Sequence, residues 1–263
     1  MRIYSWNILF ENKQFDVALR FIQTLDFDVL ALQEVPEEFL AQLKSLPFQI
    51  AYGPDTRRVR TNEAGKRMDY LVILSKHEIT RSEGILFPSE WYQRSAALQA
   101  RITAHLMGWL LPYGGKGALR VELLLPQDSK MQVFCAHLAI VFSTSTHRLK
   151  EFEYMMENRN PDLPIIFCAD MNILELPHIT LLNWLGGGKL LHWLLWWRER
   201  NAFKKLFKKY GLKNPLKGGI THPIALSQID HILVPEQFPV VSKKILKTKH
   251  GSDHNPVMVE VKL

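Results

Sequence analysis

Six short polar motifs punctuate this chain, each set against an apolar, strand-like run: SWN at 5–7, LQEV at 32–35, HL at 137–138, ADMN at 169–172, IDHIL at 229–233 and SDHNP at 252–256. A polar side chain at the end of a buried run must find a partner when the strand packs, since an unpaired polar or charged group in an apolar interior is costly. Six such motifs spread over most of the chain can gather on one edge of a fold, so that elements distant in sequence build one cleft. The sequence places every motif at the C-terminal end of a strand or in the loop just after it, where a rigid scaffold commonly carries function.

The runs between the motifs fix the kind of scaffold. Alternating or β-branched stretches predict strands near 2–9, 28–34, 47–52, 69–75, 96–105, 118–125, 131–137, 164–169, 228–234 and 256–262. Helical spacing of apolar residues recurs over 14–25, 37–45 and 146–158. Strand–helix alternation early, hairpin-like strands in the middle and no internal repeat predict an α/β fold with mixed sheets. At 263 residues, 47% of them hydrophobic, the chain can bury one sizeable core, and a single domain over 1–263 is expected. The least regular part is an elaboration over about 180–217, rich in Trp and Lys around Gly186, Gly187 and Gly188.

Several classes are disfavoured. The start lacks the apolar core and cleavage site of a signal peptide, and the apolar stretch Leu190 to Trp197 is much shorter than the ~20 residues that span a bilayer, so a soluble, cytoplasmic, monomeric protein is expected. Cys135 and Cys168, both inside strand-like runs, are expected to be buried thiols and not a disulfide framework. With no C-x-x-C and no HExxH, a closed zinc site is not indicated.

The motifs supply Asn7, Glu34, His137, Asp170, Asn172, Asp230, Asp253 and His254, an inventory suited to holding a hard divalent cation and hydrolysing a phosphate ester. In this order they resemble the endonuclease/exonuclease/phosphatase superfamily, the deoxyribonuclease-I-like metal-dependent phosphoesterases, from residue 3 to residue 262. The resemblance implies a four-layer α/β sandwich: two packed mixed sheets flanked by helices. It further implies Mg2+, with Mn2+ able to substitute, held by Glu34 with Asn7 and with Asp253 directly or through water. Asp170 would activate the attacking water, and Asn172, two residues on along an extended segment and so on the same face, would donate to a phosphoryl oxygen. Asp230 would orient His254, and His137 would protonate the leaving oxygen or stabilise phosphoryl charge. Arg94 resembles an arginine that meets substrate phosphate. Where the family motif has Gly before the Asp, this chain has Ala169.

The substrate class is less sharply marked. A net charge of +7 favours an anionic partner. Basic clusters at Arg57, Arg58, Arg60, Lys66 and Arg67, along 198–217, and at Lys243, Lys244, Lys247 and Lys249 would hold a nucleic-acid backbone. The sequence thus favours a nuclease acting on DNA or RNA. The alternative is a phosphatase or phosphodiesterase of a lipid headgroup or small phosphoester, because the Trp- and Lys-rich stretch 190–210 also suits an anionic membrane. A binding module without catalysis is the third reading.

Overall fold

The computed structural model describes residues 1–59, 66–88, 91, 111–112, 117–139, 145–174, 176, 181, 184, 190–195 and 197–263. Thirteen strands among them form two sheets. The first takes β1 (Arg2–Asn7), β2 (Val29–Pro36), β3 (Gln49–Val59), β4 (Lys66–Ser75), β6 (Leu111–Pro112), β12 (Val240–Ile245) and β13 (Val257–Val261), in the order β12-β13-β1-β2-β4-β3-β6. The second takes β5 (Glu78–Leu86), β7 (Gly117–Leu124), β8 (Lys130–His137), β9 (Ile165–Asp170), β10 (Leu212–Lys213) and β11 (Asp230–Pro235), in the order β10-β11-β9-β8-β7-β5. Each sheet has one parallel pair, β1 with β2 and β8 with β9, among antiparallel neighbours.

Period-two alternation builds the layers. Ile3, Val29, Ala31, Val133, Cys135, Ile166, Cys168, Ile232 and Val259 face inward and form the core between the sheets. The opposite phase of the first sheet, with Tyr4, Trp6, Leu30 and Leu32, packs on helices α1 (Phe15–Thr24) and α2 (Glu37–Leu43). That of the second, with Phe134, Phe167 and Leu233, packs on α3 (Ser145–Glu157) and on the later helix Trp197–Lys209. A short helix, α4, spans Leu190–Leu194, and Trp197–Lys209 is α5. The result is helix, sheet, sheet, helix: the four-layer sandwich. α1 shows why such helices form on the outer faces. Ala18 and Ile22, four residues apart, sit on one buried stripe, and Asp16 lies in the first turn where the helix dipole favours negative charge.

Besides the two-residue β6 and β10, two longer strands went unannounced by the sequence, β5 and β12, and each lies at an edge of its sheet. Their residues are mostly exposed or half-buried, so they carry almost no apolar signal. The expected strand at 96–105 and Arg94 lie outside the described residues, as does most of 177–189. Cys135 and Cys168 are cross-strand partners and both are buried free thiols, with burial pushing both upward in pKa.

Candidate active site

The inward phase of several strands runs from hydrocarbon into polar chemistry at one edge of the sandwich. On β1 it passes Ile3 and Ser5 to Asn7; on β8 it passes Val133 and Cys135 to His137; on β9, Ile166 and Cys168 to Asp170. Because β8 and β9 are parallel and in register, His137 and Asp170 lie abreast. β11 runs antiparallel to β9, which sets Asp230 beside Asp170. Here the structure corrects the sequence reading: Asp230 opens its strand and the SDHNP loop precedes β13, so neither stands at a C-terminal strand end. Antiparallel strands reach the same edge with their N-terminal ends.

Glu34 is turned into the site by a β-bulge. The register of β2 against β4 shifts between Leu32 and Val35, and Glu34 has φ 56°, a left-handed backbone that a non-glycine residue seldom adopts. Gln33 and Glu34 thereby occupy one step of the ladder. The Glu34 carboxylate accepts hydrogen bonds from Asn7 Nδ2 (3.2 Å) and the Phe10 N–H (3.3 Å). The same Asn7 amide donates to Asp170 Oδ2 at 3.0 Å, and Asn7 Oδ1 accepts the Leu9 N–H.

Asp55 was not anticipated. It is fully buried in β3, at another register shift, and its two oxygens each lie 3.1 Å from His137 Nδ1. A carboxylate can only accept, so Nδ1 carries the proton and Nε2 is directed to the site, 3.6 Å from Asp170 Oδ2 and 3.8 Å from Glu34 Oε1. Asp55 Oδ2 also accepts the Glu34 N–H at 3.0 Å, bracing the bulge. A lone Asp in the run QIAYGPDT, after Gly and Pro, reads as turn chemistry; its meaning lies in its partner, which is 82 residues away.

His254 forms the opposite wall. Its Nδ1 lies 3.0 Å from both oxygens of Asp230, and its Nε2 stands 3.8 Å from Asp170 Oδ2 and 3.8 Å from Asp253 Oδ1. Burial by itself would lower the His254 pKa, but the charges of Asp230 and Asp170 and the bond to Asp230 outweigh it and push it up to about 10. Burial raises the Asp170 carboxyl, against the pull of His254 and His137. For Asp253 burial acts upward and loses to the His222 hydrogen bond and the nearby imidazoles, which hold it at about 2. Thr221 Oγ1 accepts the Ile229 and Asp230 N–H groups, and Ser252 Oγ donates to the Asn7 carbonyl, tying the last loop to the first strand. That loop turns at Gly251, whose φ is +89° and where a Cβ would collide with the Asn12 side chain.

The remaining sequence expectations fall as follows. Asn172 does not share an extended face with Asp170, because β9 ends at Asp170 and Asn172 adopts φ 52°. The turn instead folds it back: its N–H donates to Asp170 Oδ1, and its Nδ2 donates to the Leu138 carbonyl. Asp253 lies with His222 (3.2 Å) and His254, whereas Asn7 and Glu34 converge on Asp170. His231 points to the helix layer, as alternation requires, and Ala169 is buried on that same outer face. His222, one of several histidines in loops, packs edge-on to His254 at 4.7 Å between ring centres.

The donor set fits a hard cation. Oxygens of Glu34 and Asp170 meet at one amide, an arrangement of two carboxylates that a divalent ion compensates well. Imidazole-containing groups, His222, Asp253 and His254, and Asp170, Asp230 and His254, also have the spacing for a metal ion.

The model of the endonuclease/exonuclease/phosphatase family matches residues 4–254, and the chain belongs to that family of hydrolytic phosphoesterases. No curated protein matches the sequence significantly. Solved structures similar to it include an endonuclease/exonuclease/phosphatase family protein from Leptotrichia buccalis (14% identity, 100% of both chains, TM-score 0.66). They also include a mannosyl-6-phosphatase from Bacteroides thetaiotaomicron (16% identity, 100% of both chains, TM-score 0.63). A third is D. rerio TDP2 complexed with single-strand DNA product (15% identity, 100% of this chain and 99% of that one, TM-score 0.61). At these identities the likeness is one of fold.

Proposed function

We propose that this chain is a Mg2+-dependent phosphodiesterase that cleaves DNA or RNA. The observation that carries the reading is the convergence on Asp170 Oδ2 of the Asn7 amide and of two imidazole Nε2 atoms, each imidazole backed by its own buried carboxylate. Glu34 and Asp170, with Asn7 beside them, would hold the cation. When bound, it would neutralise phosphoryl charge as a Lewis acid.

The side chains divide the remaining work. Asp170 orients the attacking water and takes its proton as the oxygen–phosphorus bond forms. His254, held protonated by Asp230 and Asp170, sets a positive charge against the phosphoryl oxygens. His137, fixed by Asp55 with Nε2 toward the site, enters the step as the imidazolium, gives its Nε2 proton to the leaving oxygen as the ester bond breaks, and is left as the neutral Nδ1–H tautomer. Asp55 and Asp230 are positioning residues, since each acts through its histidine.

A nucleic-acid substrate is supported by the net charge of +7 and by the fold shared with a protein crystallised with single-strand DNA product. A second reading, a lipid-headgroup or small phosphoester hydrolase, rests on the exposure of Leu190, Leu191 and Leu194 ahead of the basic helix α5 and of Trp197 at its start. Duplex, single-stranded and abasic nucleic acids, inositol phosphates and sphingomyelin vesicles, each assayed with Mg2+ and with chelator, separate the two. Magnesium-dependent cleavage of a nucleic acid is expected; turnover of the lipid or inositol substrates alone would replace the first reading with the second.

A further inference from the structure

A cleft of about 320 Å³ opens behind the second sheet, between α5, β10 and β11. It is not part of the catalytic edge: His231, which lines it, faces the opposite side of β11 from Asp230, and Ile173 lies one residue past Asn172. Around it stand Arg200, Lys204, Lys208, Lys213 and Lys217, with Glu236 the one carboxylate among the lining residues. Lys213 is engaged by the Glu236 and Phe238 carbonyls at 2.8 and 2.6 Å. Even so, the cleft carries a strong positive excess.

Two features make this more than a solvated basic face. First, the cations ring a concave apolar floor formed by Ile173, Phe203, Phe207 and Leu212. Second, the helix is locked where Arg200 leaves it: Arg148, fully buried, makes a two-bond pair with Glu199 at 2.6 and 2.9 Å. Burial lowers the Arg200 pKa, and its charge is close enough to act on His231. A partly desolvated guanidinium gains from an anion far more than an exposed lysine does.

We infer that this cleft is a binding site, separate from the catalytic centre, for an organic phosphate about one nucleotide in size. The volume is at the lower end for small-molecule sites, which admits one such unit and excludes a duplex. The floor takes an apolar ring, and the rim takes the phosphate. A mononucleotide offers that chemistry either free or as the phosphorylated end of a strand. The inference goes beyond the substrate of the catalytic centre and holds for either reading of it.

Calorimetric titration of the full-length protein with AMP in excess chelator tests it, with adenosine as the uncharged control. AMP should bind and adenosine should not. Lys208→Glu/Lys217→Glu, both on the surface, should weaken AMP at least about tenfold with unchanged thermal stability, whereas Glu34→Ala should leave AMP binding as it was. Competition by a 5′-phosphorylated oligonucleotide, and not by its 5′-hydroxyl form, would assign the site to a strand end; no competition would assign it to the free nucleotide. AMP binding that survives Lys208→Glu/Lys217→Glu, that disappears in Glu34→Ala, or that is absent from the wild type would overturn the inference.

Discussion

Asp55→Asn isolates a residue of the site that the sequence did not announce. The substitution keeps the size of the side chain and removes its charge. His137 Nδ1 then faces a neutral amide in place of two carboxylate oxygens at 3.1 Å. A buried hydrogen bond to a charged group contributes about 1.5–3 kcal/mol, so the loss of transition-state stabilisation should lower kcat by roughly 10- to 150-fold, at about 1.4 kcal/mol per decade. Stability should fall by no more than the same ~1.5–3 kcal/mol, because an amide oxygen can still accept the Glu34 N–H. Asp55→Ala should differ on that count: it strands a buried N–H and imidazole, at about 1–3 kcal/mol each. Steady-state hydrolysis of a soluble phosphodiester, paired with urea unfolding, measures both quantities. An Asp55→Asn enzyme with kcat within about twofold of wild type would refute the assignment of His137 as a proton donor set by Asp55.

Three further outcomes are expected. Activity should require Mg2+ or Mn2+, and Glu34→Ala should abolish it with an unchanged circular dichroism spectrum; full turnover in excess chelator would remove the cation from the reaction. If Asp230 acts only through His254, the double Ala variant should lose little more kcat than either single one, and multiplicative losses would show separate roles. His231 gives a pH signature of stability: burial holds its pKa at about 4, below the unfolded 6.5. Keeping it neutral costs nothing above about pH 6.5, and on the order of 3 kcal/mol of stability is lost as the pH falls through 4. His231→Gln should flatten that acid limb in urea titrations, and an unchanged limb would refute the argument.

Legibility in the sequence followed burial. Strands covered on both faces, such as β2, β8 and β9, announce themselves as apolar runs, and the polar residues that end or interrupt them mark the site. Edge strands with one face on solvent do not, which hid β5 and β12. Strand direction was equally hidden: nothing local in IDHIL says whether Asp230 begins or ends its strand. Asn172 and Glu34 were found by type but not by geometry, because each depends on a left-handed residue where alternation fails. Asp55 required knowledge of its distant partner.

Two strands far apart in sequence are neighbours, β1 pairing with β13 and Ser252 clasping the Asn7 carbonyl. Asn7 thus leaves a ribosome well before His254, from which almost the whole fold separates it in sequence. Long-range pairing of this kind is slow to form, and the hydrolytic centre stays incomplete while synthesis continues. A nascent chain is consequently inactive until β13 emerges and pairs with β1.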